Sequence, residues 1–324
     1  MITPELLLQE LQTAFSKHKY GAEPGELYAP IGYIMSLGGK RFRPLLTLLS
    51  ASIYTDEWQS ALRPAMAVEV FHNFTLMHDD IMDNAPLRRG EPTVHEKWNA
   101  NTAILSGDVM LIRAYDLLLG IRPELMGKVL ARFNQTAAEV CEGQQLDMNF
   151  EKRWDVTEAE YLNMIRLKTS VLLGFALELG GLLTGADEAS LQLLYAAGEN
   201  MGMGFQLKDD LLDVFGDPAK FGKQVGGDII SNKKTFLLIE ALSRAEGTYR
   251  TDLEYWINAA DFDKNEKVQA VTKIYEALDI RTFTEQKIRE YFEKGLNALE
   301  GLPAPDGRKI PLWQFVHQLV ERDK

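Results

Sequence analysis

The chain has 324 residues, 46% hydrophobic and 25% charged, with a formal net charge of −12 and a single cysteine, Cys141. That acidic balance argues against nucleic acid as a partner and against a surface drawn to anionic membranes. One cysteine and no histidine pair at metal-ligand spacing leave neither a disulfide nor a zinc site. No run of 18 apolar residues suggests a membrane span, and no basic stretch precedes Pro4-Glu5, so the expectation is a cytoplasmic protein.

In chain order, Thr3-Pro4-Glu5 opens an amphipathic helix (Leu6, Leu7, Leu8, Leu11, Phe15), with a capping residue and a proline at the first helical position. Leu37-Gly38-Gly39-Lys40-Arg41-Phe42-Arg43-Pro44 follows, a glycine turn with three cations ahead of an apolar helix at Leu45 to Ser50. Helical periodicity then runs through 60–84, 93–119, 123–150, 158–184 and 188–215. A glycine-bearing stretch from Gly216 to Lys234 reads as a lid. Further helices are expected near 235–245, 250–260, 264–279 and 283–300, with a last one from about 311. Strand-like alternation is scarce and no linker or repeat is present. The pattern predicts one all-α domain over 1–324, a large helical bundle around a central cavity.

Two helical segments end in the same acidic pentad: Asp79-Asp80-Ile81-Met82-Asp83 and Asp209-Asp210-Leu211-Leu212-Asp213. Residues i and i+4 share a helix face, so Asp79 points with Asp83 and Asp209 with Asp213. Aspartate is a poor helix former, and three in one helical segment, twice, ask for a cause other than folding. Two carboxylates ~6 Å apart at an effective dielectric of ~20 repel by ~3 kcal/mol. Either some protonate or cations sit between them. An all-oxygen set of short carboxylates suits Mg²⁺ shared with a phosphate-bearing ligand, and such a ligand requires basic residues nearby.

Those residues are present. Lys40, Arg41 and Arg43 follow the Gly38-Gly39 turn at a helix start, an anion-binding arrangement. Asn84-Ala85-Pro86 stops the first pentad helix, and Arg88-Arg89-Gly90 come next in the loop. After the second pentad, Lys223, Lys233 and Lys234 lie among glycines and Asp228. His72 lies seven residues before Asp79, on the same stripe, and is either a satisfied core histidine or a phosphate donor at the site's edge. His78 points elsewhere and reads as structural.

These motifs resemble the trans-polyprenyl (isoprenyl diphosphate) synthases. The likeness rests on Gly38 to Pro44, the first pentad with Arg88-Arg89-Gly90, Lys168-Thr169, and Gln206-Leu207-Lys208-Asp209-Asp210 with its glycine-rich sequel, and it spans roughly residues 38 to 235. The resemblance implies the isoprenoid synthase fold and a short-chain prenyltransferase. Isopentenyl diphosphate would be condensed with allylic diphosphates (dimethylallyl, geranyl, farnesyl) by ionisation, 1′-4 coupling and proton loss. It implies about three Mg²⁺ held by Asp79, Asp83 and Asp209, with Asp80 and Asp213 assisting and Asp210 within the catalytic set. Arg88, Lys168, Lys223 and Lys233 would contact the allylic diphosphate, and Thr169 and Gln206 would lie near the reacting carbon. Lys40, Arg43, His72 and Arg89 would hold isopentenyl diphosphate without metal. Gly143-Gln144 with Asp147 resembles a supporting segment. Asn232 stands where many members have Gly, and asparagine tolerates the left-handed backbone such a turn needs.

The growing tail would run down the helix before the first pentad. Phe74 lies ~7.5 Å along the axis from Asp79, Phe71 one turn deeper, and the small Thr75 four residues before Asp79. A first pentad without inserted residues and an aromatic at Phe74 resemble the geranylgeranyl (C20) type, with a farnesyl (C15) synthase as the alternative. A class I terpene cyclase would leave the cations at Lys40 and Arg43 without purpose. A non-catalytic subunit of a heteromeric synthase would usually lack an intact aspartate motif. The family is commonly homodimeric, which the helix at 93–119 allows. Cys141 has no motif context.

Overall fold

Cap chemistry sets where the helices begin in the computed structural model, which describes residues 2–216 and 226–320. The Thr3 hydroxyl accepts from the Leu6 N–H, and Pro4 takes the first helical position of Pro4–Lys17. Helices follow at Gly25–Ser36, Phe42–Tyr54, Leu62–Met82, Val94–Lys97, Ala100–Leu118, Pro123–Glu151, Glu158–Ile165, Val171–Thr184 and Glu188–Phe215. The later ones are Gly227–Ile230, Phe236–Arg244, Gly247–Asn258, Lys264–Ala277, Ile280–Glu300 and Asp306–Val320. The chain is all-α, as expected; among the described residues the only strands are the two-residue pair Leu87–Arg88 and Glu91–Pro92.

Three departures from the sequence reading have local causes. Gly25–Ser36 carries an internal Pro30 and no side-chain cap, so it lacks the usual helix signals. The segment expected as 93–119 breaks at Trp98, because the Asn99 side chain accepts from Thr102 N at 2.8 Å and starts a new helix. The segment expected as 158–184 contains a π-helical turn at Arg166–Ser170. Glu158–Thr184 is long and apolar enough to cross a membrane by length and composition, but 83% of its apolar window is buried inside the protein. Its hydropathy is that of a core helix.

The residues cluster into two compact units. The first comprises residues up to Gln135, Phe175–Tyr195 and Gly301–Val316. Phe42–Tyr54 is its core helix, buried at every position from Pro44 to Ile53, and Ser50 Oγ donates to the Leu177 carbonyl at 2.6 Å. Leu62–Met82 is buried without interruption from Pro64 to Phe71 and packs most extensively on Ala100–Leu118. Each such large apolar side chain contributes about 1.5–3 kcal/mol when buried. The pentad at the end of this helix is therefore held by packing beneath it and not by its own propensity.

The second unit comprises Thr136–Gly174, Ala196–Glu300 and the residues from His317. Its core gathers Tyr161, Ile165, Leu207, Leu211, Phe236, Leu253, Ile274 and Phe292 from six helices. A capping box at its edge, Thr157 with Glu160, fixes the start of Glu158–Ile165.

Candidate active site

In the first unit the three aspartates of the pentad differ in exposure. Asp80 is 2% exposed, Asp79 is half-buried and Asp83 is exposed. Arg88 clasps Asp80: Nε donates to both carboxylate oxygens at 3.0 and 2.8 Å, and Nη2 donates to Oδ1 at 2.7 Å. Burial pushes the Asp80 carboxyl above the usual range, against the pull of Arg88. Asn84, at φ 50°, ends the helix in the left-handed conformation, and the Ala85 N–H returns to the Asp80 carbonyl at 2.9 Å.

The loop expected around Arg88 is a tight hairpin. Arg89 and Gly90 both have positive φ, 55° and 82°, which matches the twist of a two-residue hairpin turn. The first of these positions is unusual for arginine. It is held because Arg89 Nη1 donates to the Gly38 carbonyl. Gly39 sits at φ 129°, a backbone region strained for any L side chain, and its missing Cβ leaves room for the Arg89 guanidinium, whose nitrogens would stand 2.9 Å from one. The Gly38-Gly39 turn therefore wraps the second arginine of the hairpin.

The three cations after that turn have different surroundings. Lys40 is exposed beside the Phe42 ring. Arg41 turns inward, with Nη1 on Glu69 Oε1 at 2.6 Å and Nη2 on the Met35 carbonyl at 2.5 Å, and Asn73 Nδ2 also donates to Glu69. Arg41 is thus committed to the fold. Arg43 Nη1 lies 3.1 Å from His72 Nε2. A guanidinium only donates, so the imidazole accepts and is neutral, with its proton on Nδ1. Burial, then Arg43, Arg88, Arg89 and Arg41, hold the His72 pKa well below the usual value. His72 therefore orients Arg43 through Nε2 and keeps only Nδ1–H for donation elsewhere. His78 Nε2 meets the Ile104 carbonyl at 3.2 Å, and the ring packs where Gly107 has no side chain.

Below the pentad, Phe71, Phe74, Tyr115, Phe133 and Phe175 form an aromatic cluster. Ring centroids lie 5.6 Å apart for Phe71–Phe74, 5.2 Å for Phe71–Phe133 and 5.8 Å for Phe133–Phe175. The Thr75 hydroxyl donates to the His72 carbonyl.

In the second unit, Lys168 and Thr169 lie within the π-helical turn, a feature often found at functional sites. Lys168 Nζ donates to Asp147 Oδ2 at 2.7 Å, and Thr169 Oγ1 donates to Gln206 Oε1 at 3.1 Å. Gln206 Nε2 passes the chain on to Asp210 Oδ1 at 3.1 Å, and the Tyr161 hydroxyl donates to Asp210 Oδ2. Asp210 is 4% exposed. Burial and Asp228 push its carboxyl up to about 7, against Lys233, Tyr161 and Gln206. Asp209 is exposed and Asp213 half-buried. Asp213 accepts from Gly226 N (2.6 Å, carbonyl) and Asp228 N (2.9 Å, Oδ2).

The two pentads thus repeat one plan: the second aspartate is buried and fully engaged, while the first and fifth stay closer to solvent. Sequence spacing showed the shared face of the first and fifth but gave no sign that Asp80 and Asp210 are anchors. Glu69 and Tyr161 were missed, because Glu69 is a single residue in an apolar run and Tyr161 follows an ordinary acidic helix start, with no motif around either. Asn232 adopts φ 54°, as its position required. Lys223 and residues 217–225 of the expected lid lie outside the described residues.

Among the described residues, no three histidine, cysteine, aspartate or glutamate side chains gather closely enough to hold a metal by themselves. The donors that the pentads do offer are hard carboxylate oxygens without soft ligands. This set fits Mg²⁺, which keeps waters and takes further oxygens from a phosphate.

Residues 24–277 match the polyprenyl synthetase family. A geranylgeranyl pyrophosphate synthase of Geoglobus acetivorans is 38% identical over 305 residues, covering 93% of this chain and 92% of its own. A solved geranylgeranyl pyrophosphate synthase structure is 45% identical, with a TM-score of 0.95 over 100% of both chains. Another, from Corynebacterium glutamicum and complexed with isoprenyl diphosphate and magnesium, is 28% identical, with a TM-score of 0.85 over 98% of each chain. Family match and near-complete structural likeness agree with the two aspartate motifs and their attendant cations: the chain belongs to the polyprenyl synthetase family and is an all-α prenyltransferase with the isoprenoid synthase fold.

Proposed function

We propose that this enzyme extends allylic diphosphates with isopentenyl diphosphate and stops at geranylgeranyl diphosphate (C20). The carrying observation is the repeated pentad plan, which buries and anchors Asp80 and Asp210 and keeps Asp79, Asp83, Asp209 and Asp213 nearer to solvent, where divalent ions would be met. Asp80 and Asp210 fix the frame. Three Mg²⁺ are assigned per site, held by Asp79, Asp83 and Asp209 with support from Asp213. When bound, they neutralise the diphosphate so that the allylic C–O bond can ionise.

The residues of the chain divide the remaining work. Arg88, Lys168, Lys223 and Lys233 bind the allylic diphosphate oxygens. Asp80 and Asp147 preset the first two of these, so less side-chain freedom is lost on binding. Lys40, Arg43 and Arg89 bind isopentenyl diphosphate, and His72 steers Arg43. Thr169 donates its hydroxyl hydrogen bond to Gln206 Oε1, so the hydroxyl oxygen presents its lone pairs to a nearby cationic carbon. No protein base is required: the proton lost after carbon–carbon bond formation goes to the released diphosphate. Phe74 and Phe71 form the floor that limits the tail. Exposed Ile104, Leu105, Ile112 and Leu119 along one helix favour self-association as a homodimer. The enzyme is placed in the cytoplasm.

The test is incubation with Mg²⁺, isopentenyl diphosphate and each allylic primer, followed by chromatography of the dephosphorylated alcohols. A C20 alcohol that requires both substrates supports the reading. A hydrocarbon from an allylic diphosphate alone would indicate a cyclase, and turnover only with a second chain added would indicate a non-catalytic subunit. Asp79→Ala and Asp209→Ala should each abolish turnover while the melting temperature stays near the parent value.

A further inference from the structure

Lys267 is the least expected cation in the second unit. It sits in Lys264–Ala277, is 1% exposed, and among the described residues has no carboxylate partner. Its ammonium donates to Asn232 Oδ1 at 2.7 Å, reaches the Ile230 carbonyl at 3.4 Å, and lies 4.3 Å from the Phe262 ring centroid. A buried charge without an ion pair is destabilising unless its hydrogen bonds are needed. Burial lowers the Lys267 pKa, in line with that environment.

Its hydrogen bonds all serve one segment. Ile230 ends the short helix Gly227–Ile230, and Asn232 follows at φ 54°. Asn232 Nδ2 donates in turn to the Ile257 carbonyl at 3.0 Å, so this side chain ties the turn to two helices. The Lys233 N–H closes onto the Asp228 carbonyl at 2.9 Å. At the other end of the segment, Gly226 packs against Val268, the neighbour of Lys267, so closely that a Cβ would stand 2.6 Å from it. The segment from Gly226 to Lys233 is therefore seated at both ends on Lys264–Ala277.

We propose that Lys267 and Asn232 form a latch that positions Lys233 for the allylic diphosphate without touching it. This rests on the assignment of Lys233 as a diphosphate ligand. The asparagine supplies both the left-handed backbone and the acceptor that makes a buried lysine useful, so the two residues act as one unit.

The experiment uses the full chain, with Mg²⁺ and inorganic pyrophosphate as the calorimetric probe, alongside KM for each substrate. Lys267→Met and Asn232→Gly should each weaken pyrophosphate binding about tenfold and raise KM for the allylic diphosphate. KM for isopentenyl diphosphate should stay unchanged, which a general loss of structure would not produce. Lys267→Gln, which keeps an amide N–H donor without the charge, should recover part of the loss, and the Met/Gly double variant should be no worse than the poorer single one. Unchanged pyrophosphate affinity in Asn232→Gly overturns the latch, and this variant decides alone if Lys267→Met fails to fold. Lys233→Ala separates the two claims. If it too leaves the affinity unchanged, the Lys233 assignment falls; if it weakens binding while the latch variants do not, only the latch falls.

Discussion

Replacing Gly143 with alanine sets helix propensity against packing. On propensity alone, alanine inside a helix is about 1 kcal/mol better than glycine. The added Cβ, however, would stand 2.2 Å from Lys168 N, 2.6 Å from Lys168 Cα and 2.7 Å from the Leu167 carbonyl carbon, where ordinary contact begins near 3.4 Å. These are backbone atoms and cannot swing aside, so the π-helical turn must recede by about 1.2 Å. Retreat is limited, because Gly202 crowds the same turn two residues on, its own Cβ position lying 2.6 Å from Ser170 Cα. Overpacking of this kind costs typically 1–3 kcal/mol, which offsets or exceeds the propensity gain. The larger effect falls on catalysis, since a misplacement of ~1 Å can reduce the rate on the order of 10²-fold, and here it moves Lys168 and Thr169 together. Initial-rate incorporation of labelled isopentenyl diphosphate should show kcat/KM down about a hundredfold, with a melting temperature unchanged or lower. A variant with the parent's kcat/KM and a raised melting temperature would refute the reasoning.

Phe74→Ala opens the aromatic cluster below Asp79; chain length of the product alcohols should rise by one or more isoprene units, and stability should fall by about 3 kcal/mol. An unchanged product distribution would assign the limit to another residue. Glu69→Ala leaves the Arg41 guanidinium buried without its carboxylate, and denaturant unfolding should show a loss of about 3–5 kcal/mol. A loss under ~1 kcal/mol would mean that water reaches the pair.

Much of the site was legible because its chemistry demands repeated, costly residues. Aspartate in a helical segment has no folding rationale, so the pentads stood out, and positive charge beside glycine marked the phosphate contacts. What the sequence concealed is which member of each cluster turns inward. Asp80 and Asp79 are chemically identical neighbours, and only the hairpin that brings Arg88 back onto Asp80 separates them. Arg41 and Arg43 likewise differ by place: Arg41 precedes Phe42–Tyr54 in the left-handed conformation, at φ 48°, Arg43 lies inside its first turn, and the buried Glu69 that captures Arg41 lies 28 residues away. The π-helical turn was illegible too, because Glu158–Thr184 keeps its apolar periodicity on either side. For the helices, most expected segments match, and the breaks fall at local caps such as Asn99 that a window of periodicity averages over.

The hairpin carrying Arg88 and Arg89 has a mechanical consequence. One arginine is tied to the end of the first pentad helix and the next to the Gly38 carbonyl, so the hairpin tethers the pentad to a glycine turn far from it in the chain. A ligand that stiffens the glycine turn takes freedom from the pentad as well, and the second ligand to arrive meets a smaller ordering penalty. Substrate synergy would then be written into the scaffold itself, visible as slowed amide exchange at residues 79–92 when only the Gly38 side is filled.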